Sequence, residues 1–216
     1  MAWGSSLSTS SGIEVLEAIQ RIRAIAQTGL TYTEDPYDRE RYAELHQLAL
    51  DLLAEQLEES LERVAGVYHL EKGYPTPKID VRAGVFSGGE VLLVRESSDG
   101  CWSLPGGWGD EHDSPKACIE REVFEESGYR VTAVKLVGVK DRHLHPYTPR
   151  RLERIYKLFF LCELTGGEAR GSIETTEVAF FALNDLPMLS HGRTLEADIV
   201  LLDQHRNDLC LPTYFD

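Results

Sequence analysis

Three glutamates, Glu122, Glu125 and Glu126, stand at positions i, i+3 and i+4. On a helix that spacing puts all three carboxylates on one face. Like charges so placed repel, by roughly 0.2–0.5 kcal/mol per pair, so the arrangement calls for a counterion. An all-oxygen donor set favours a hard divalent cation, Mg2+ or Mn2+. Such an ion neutralises phosphate oxygens and lowers the pKa of bound water, which is the chemistry of hydrolysis at phosphorus. Arg121 precedes Glu125 by four residues and is placed to orient it. Upstream, Gly106 and Gly107 allow a tight turn and offer a carbonyl to the same ion. Taken alone, three such glutamates are more often a solvated acidic helix face.

The carboxylates need a helix with defined ends. Ser114 is a good N-cap, Pro115 suits the first helical position, and Gly128 suits the end. Around this helix the pattern is that of strands. Residues 79–86 alternate in part, Glu90–Glu96 follows the hairpin-type turn Ser87-Gly88-Gly89, and Cys101–Leu104 is a short run. Strands are also expected over 131–139, 155–164 and 178–183, with a last helix around 194–205. The N-terminal part differs. Residues 1–12 are Ser-rich and read as a disordered leader. From Ile13, the spacing of Leu16, Ile19, Ile22 and Ile25 or Ala26 predicts an amphipathic helix. Asp35-Pro36 opens a second helix, expected to run to about Leu61 on Leu45, Leu48, Leu52, Leu53 and Leu57. Gly73, Pro75 and Pro77 mark a linker. The organisation is therefore a helical domain (13–70), a linker (71–78) and a larger domain (79–216) of α+β or mixed-sheet α/β sandwich class.

Composition narrows the partners. With 36 acidic and 22 basic residues the net charge is −14, which repels duplex DNA and anionic membranes but not a small phosphorylated substrate bound through metal ions. No apolar run approaches the ~20 residues of a membrane span, and the N-terminus lacks a secretory apolar core. The cysteines, Cys101, Cys118, Cys162 and Cys210, form no CxxC pair; they read as reduced thiols in a cytoplasm, against two disulfides in a secreted protein.

The Pro-Gly-Gly loop and the Arg-Glu pair complete a longer pattern. Gly107, five residues, Asp113, seven residues, then Arg121-Glu122-Val123-Phe124-Glu125-Glu126-Ser127-Gly128-Tyr129 resembles the box of the Nudix hydrolase family. Two positions depart: Asp113 stands where the family has glutamate, and Tyr129 where it is usually aliphatic. The segments IAQTGLTYTEDPYDRERY, TPKIDVRAGVF, LLVRE, WSLPGGW, YKLFFLCEL and FFALNDLP are similar to one subgroup, which carries a small helical domain in front and acts on nucleoside diphosphates linked to another moiety, such as CDP-choline or ADP-ribose.

The resemblance implies a Nudix sandwich, a homodimer and metal-dependent cleavage of a diphosphate bond in a small nucleotide. Glu122, Glu125 and Glu126 would hold the Mg2+ or Mn2+ with the backbone of Gly106, and Arg121 would orient them. The general base would be Glu122 or a glutamate of a later loop, Glu174 or Glu177. Arg82, Arg95, Trp108, Gly107 and Arg142 are candidates for substrate contact, although Arg82 and Arg95 read equally as surface arginines. Trp102 reads as core. Asp141, Arg142, His143 and His145 either meet the leaving group or form a solvated loop; His143 and His145 lack a third soft ligand for zinc. Residues 146–154 look like a loop insertion without an assigned role. Within the same fold, a nucleotide-pool or cap-removing hydrolase and a non-catalytic nucleotide sensor are the rival readings; the intact glutamates favour catalysis. Asp113 is expected to brace the loop rather than to ligate metal.

Overall fold

The computed structural model describes residues 11–69 and 73–216. The leader expected over residues 1–12 lies outside them, apart from Ser11 and Gly12, which open the first helix. The chain divides into two compact units, Met1–Thr76 and Pro77–Asp216.

The first unit holds α1 (Ser11–Tyr32), α2 (Pro36–Leu57) and α3 (Leu61–His69). Asp35 caps α2 by accepting the N–H groups of Tyr37 and Asp38 at 2.8 and 3.0 Å. The helix expected to reach Leu61 in one piece is two. Glu58 adopts a left-handed backbone, φ 54°, and its N–H closes on the carbonyls of Ala54 and Glu55. Ser60 then accepts from Arg63 N–H and starts α3. Periodicity hid the break because Leu57 and Leu61 keep a four-residue spacing. Gly29 lets α1 approach α2, since a Cβ there would sit 2.5 Å from the Tyr42 ring. Ile19, Ala26, Ala49, Leu50, Leu53, Val64 and Tyr68 are buried, whereas Ile22, Ile25, Leu45, Leu48 and Leu52 are exposed. None of the described helices is long and apolar enough to cross a membrane.

The second unit is built on a mixed sheet. Its strands are β1 (Lys78–Ser87), β2 (Glu90–Glu96), β3 (Trp102–Ser103), β4 (Tyr129–Asp141), β5 (Ile155–Gly167), β6 (Thr175–Ala182) and β7 (Tyr214–Phe215). The order is β3-β2-β1-β5-β4-β7, with β6 also on β2. β1 runs parallel to β5, and β4 antiparallel to β5. Helix α4 (Pro115–Ser127) packs Cys118, Ile119 and Val123 against Val81, Ala83, Val85 and Phe160. Helix α5 (Glu196–Asn207) packs Ile199 and Leu202 against Leu93, Val137, Phe159 and Leu161. The central strands are thus covered on both faces, which is why β1 reads as near-continuous burial rather than clean alternation. The result is an α/β/α sandwich. β6 starts three residues earlier than its apolar run, and β7 lies outside every expected strand; polar strand ends and two-residue strands carry no periodic signal. All four cysteines are free thiols.

Candidate active site

The loop before α4 is fastened to β1. Ala83 N–H donates to Pro105 O at 2.9 Å, Val81 N–H to Gly107 O at 2.8 Å, and Gly109 N–H to Ile79 O at 2.9 Å. Gly106 has φ +140°, and a Cβ there would lie 2.0 Å from Val81 O, so only glycine fits. That twist leaves the Gly106 carbonyl without a hydrogen bond among the described residues and turns its N–H onto Glu126 Oε2 at 2.8 Å. Gly107 faces Glu122: a Cβ would sit 2.7 Å from its Oε2.

Ser114 caps α4 through Ala117 N–H, and Gly128, at φ 75°, ends it. The helix aims Glu122, Glu125 and Glu126 into a cleft of about 700 Å3 also lined by Arg82, Glu96, Gly106, Gly107, Trp108, Asp110, Arg121, Arg193 and residues 170–174. Arg121 is the hub of its outer rim. At 2.9 Å each, Nε meets Asp113, Nη1 meets Glu122 and Glu125, and Nη2 meets Asp110. The hydrogen bond that Arg121 donates to Asp113, followed by the other carboxylates, holds the Arg121 pKa above its already high value. Asp113 therefore sits against a guanidinium. Asp110, His112 and Asp113 cluster closely enough to suggest a cation, but both aspartates already have Arg121 as counter-charge.

The inner wall is less charge-balanced. Glu126 is 5% exposed. Burial pushes its carboxyl up to about 8, helped by nearby Glu96 and Glu122 and opposed by Arg82 and the Gly106 N–H. Burial also raises Glu122, against the pull of Arg121. Glu96, at the end of β2 beside a register irregularity, is buried, accepts from Ser103 Oγ at 2.6 Å and forms an ion pair with Arg193 Nε at 3.2 Å. Oxygen ligands crowded until one prefers its proton suit a hard divalent ion, which reverses that preference. Arg82 lies beneath, its Nε and Nη2 on the Asp80 carboxylate at 2.9 and 3.0 Å and its Nη1 on Leu104 O. Burial opposes the charge of Asp80, but Arg82 and Lys157 bring it down to about 2. Burial pulls Lys157 down to about 8 against Asp80.

The loop between β5 and β6 forms the facing wall. Arg170 N–H donates to Ser127 O, and Thr175 Oγ1 to Glu126 O at 2.6 Å. Glu174 lines the cleft with no side-chain partner among the described residues.

Three of the residues expected at the site lie elsewhere. Arg95 and Glu177 are register partners on β2 and β6 and pair with each other outside the cleft. The reason is strand parity: Arg95 faces away and its neighbour Glu96 faces in. Arg142 is buried under the following loop, bonded to Pro149 O at 2.7 Å, and lines a separate cavity. His143 and His145 are used separately, on Arg151 O and Asp216. Trp102 packs edge-on against Phe181 at 4.6 Å, in the core, whereas Trp108 is 45% exposed at the cleft. Glu96, Arg170 and Arg193 were missed; an acidic residue closing the apolar run of β2 was the available signal for Glu96.

Residues 77–202 match the family model described as the NUDIX domain. Residues 14–68 match the one described as a UDP-X-like N-terminal oligomerisation domain. Among relatives, the protein of Bacillus subtilis (strain 168) provisionally named ADP-ribose pyrophosphatase YjhB is 44% identical over 187 residues, 87% of this chain and 89% of its own. A crystal structure of a UDP-X diphosphatase is 34% identical, covers 95% of this chain and 99% of its own, and superposes with a TM-score of 0.61. That of an ADP-ribose pyrophosphatase from Streptococcus suis is 40% identical over 65% of this chain and 100% of its own, with a TM-score of 0.60.

Proposed function

The chain belongs to the Nudix hydrolase family, and on that premise we propose that it cleaves the diphosphate bond of a nucleoside diphosphate linked to a second moiety, with ADP-ribose and UDP-linked conjugates as its substrate class. The products are a nucleoside monophosphate and the phosphorylated partner. The observation that carries this is the convergence of Glu96, Glu122, Glu125 and Glu126 with the Gly106 backbone in one cleft.

In this reading Glu122, Glu125 and Glu126, joined by Glu96 and the Gly106 carbonyl, hold Mg2+ or Mn2+. The ion, when bound, neutralises the diphosphate and acidifies the attacking water. Arg121 fixes the directions of Glu122 and Glu125. Arg82, locked by Asp80, sets a permanent positive charge at the floor of the cleft. Glu174, whose side chain has no partner among the described residues, accepts the proton of the water; Glu122 is the other carboxylate in reach of that role. Trp108 offers an exposed ring to a base or sugar. The exposed Ile22, Ile25, Leu45, Leu48 and Leu52 of the first unit and its match to an oligomerisation domain support a homodimer.

A substrate panel tests the reading. With Mg2+, ADP-ribose, a UDP-hexose, CDP-choline and a free nucleoside triphosphate are incubated separately and the products resolved. Nucleoside monophosphate plus phosphorylated partner from at least one conjugate is expected. Turnover of the triphosphate alone, with release of pyrophosphate, would overturn the substrate class.

A further inference from the structure

A second cavity, of about 360 Å3, adjoins the catalytic cleft, and Arg193 lines both. Its walls come from the loop after β4 and from residues 188–193. They are joined by Thr148 N–H on His191 O at 3.1 Å and by Arg142 on the carbonyls of Pro149 and Gly192. Three arginines, Arg142, Arg151 and Arg193, line it, against one acidic residue, Asp99. Asp99 is already engaged by Arg193 and by Ser190 Oγ at 2.7 Å.

Arg142 is the telling member. It is 2% exposed, it has no carboxylate within ion-pair distance among the described residues, and its Nη1 is buried without a hydrogen-bond partner. Asp80, the acidic group whose charge acts on it, is bound by Arg82 and Lys157. Arg151 likewise pairs with no carboxylate among the described residues. In a chain with 36 acidic residues against 22 basic ones, two arginines without a carboxylate partner among the described residues, beside the paired Arg193, stand apart. A buried guanidinium with an open donor is costly unless an anion completes it, and its fork geometry fits an oxyanion.

We propose that this cavity is the subsite for the non-nucleotide moiety, and that it selects an oxyanion, a carboxylate or phosphate, carried by that moiety. The assignment to substrate rests on the functional reading above, because Arg193 connects this cavity to Glu96. The Pro146–Arg154 insertion thereby gains a role in specificity.

Two measurements test it. The first is calorimetric titration of the protein with inorganic phosphate in excess chelator, which removes divalent ions from the catalytic cleft. Wild type is expected to bind phosphate, and Arg151→Gln, a change at an exposed side chain that leaves the core untouched, to weaken binding at least about tenfold, the scale of one lost charge-assisted bond. Arg206→Gln, the same charge change on α5, should bind as wild type does. Equal binding by Arg151→Gln and wild type, or none by either, would overturn the oxyanion site. The second is the ratio of kcat/KM for a UDP-uronic acid to that for the matching UDP-hexose. It is expected to exceed one in wild type and to fall at least about fivefold in Arg151→Gln. Phosphate binding with an unchanged ratio would identify a free anion as the occupant and overturn the assignment to substrate. Turnover of no conjugate would refute the functional reading and the substrate assignment with it, while the titration still decides the oxyanion site.

Discussion

Glu126 is buried, faces two other glutamates, and carries a pKa of about 8 in the metal-free protein. Its ordinary value is 4.5, so between those values the native state holds a proton that the unfolded state does not. By linkage, the stability this group contributes falls as pH rises through that window. A divalent ion on the same carboxylate displaces the proton. Mg2+ binding at pH 7 is therefore expected to release close to one proton, a release that vanishes well above pH 8. Calorimetry in buffers of different ionisation enthalpy reads this directly, and a binding heat independent of buffer would contradict it. The i, i+3, i+4 spacing makes Glu122, Glu125 and Glu126 legible in the sequence, because a helix converts spacing into a shared face. Glu96 was not legible, since it reaches the cleft through strand pairing and a register irregularity. Arg95 was misplaced for the same reason: one step along a strand reverses the side chain.

The loop from Pro105 to Gly109 and α4 work as one device. The Pro105 and Gly107 carbonyls are held by β1, and the loop's first two glycines serve different ends. At Gly106 a side chain would strike backbone, so its absence is a condition of folding. At Gly107 it would strike only the end of Glu122, on a backbone that any residue can adopt. Gly107→Ala should therefore leave the melting temperature within a few degrees of wild type yet lower kcat by about 10–100-fold, since displacement of a positioned group by about 1 Å costs on that scale. It should also raise the Mg2+ midpoint. Unchanged kinetics in this variant would separate Glu122 from the metal site. The helix ends, the hairpin of β1 and β2 and the core strands followed from caps, turns and apolar runs. The split between α2 and α3 did not, because the leucine spacing continues across it and the break depends on one left-handed residue, Glu58.

At the scale of the whole molecule, the two units solve different problems. The second has a sheet covered on both faces and its own two-layered core. The first buries one side of its helices and leaves Ile25, Leu48 and Leu52 about half exposed. An apolar surface of that kind calls for a partner, and a second copy is the partner proposed here. Leu48→Glu with Leu52→Glu should shift the sedimentation of the full chain from dimer to monomer with the helix content retained; a dimer persisting at micromolar concentration would place the interface elsewhere. The net charge of −14 opposes an anionic substrate at long range, so productive binding depends on local positive charge, supplied by Arg82 and a divalent ion. In the reaction proposed here the α4 carboxylates act with a divalent cation on a diphosphate bond. The deciding measurement is kcat for ADP-ribose or a UDP-hexose, whichever the panel selects, against free Mg2+ in wild type and Glu126→Gln. A saturating Mg2+ dependence, loss of turnover in chelator, and at least a ~100-fold lower kcat in the variant, on the order of 2.7 kcal/mol in barrier, are predicted; equal turnover in excess chelator, or wild-type kcat in Glu126→Gln, would contradict it.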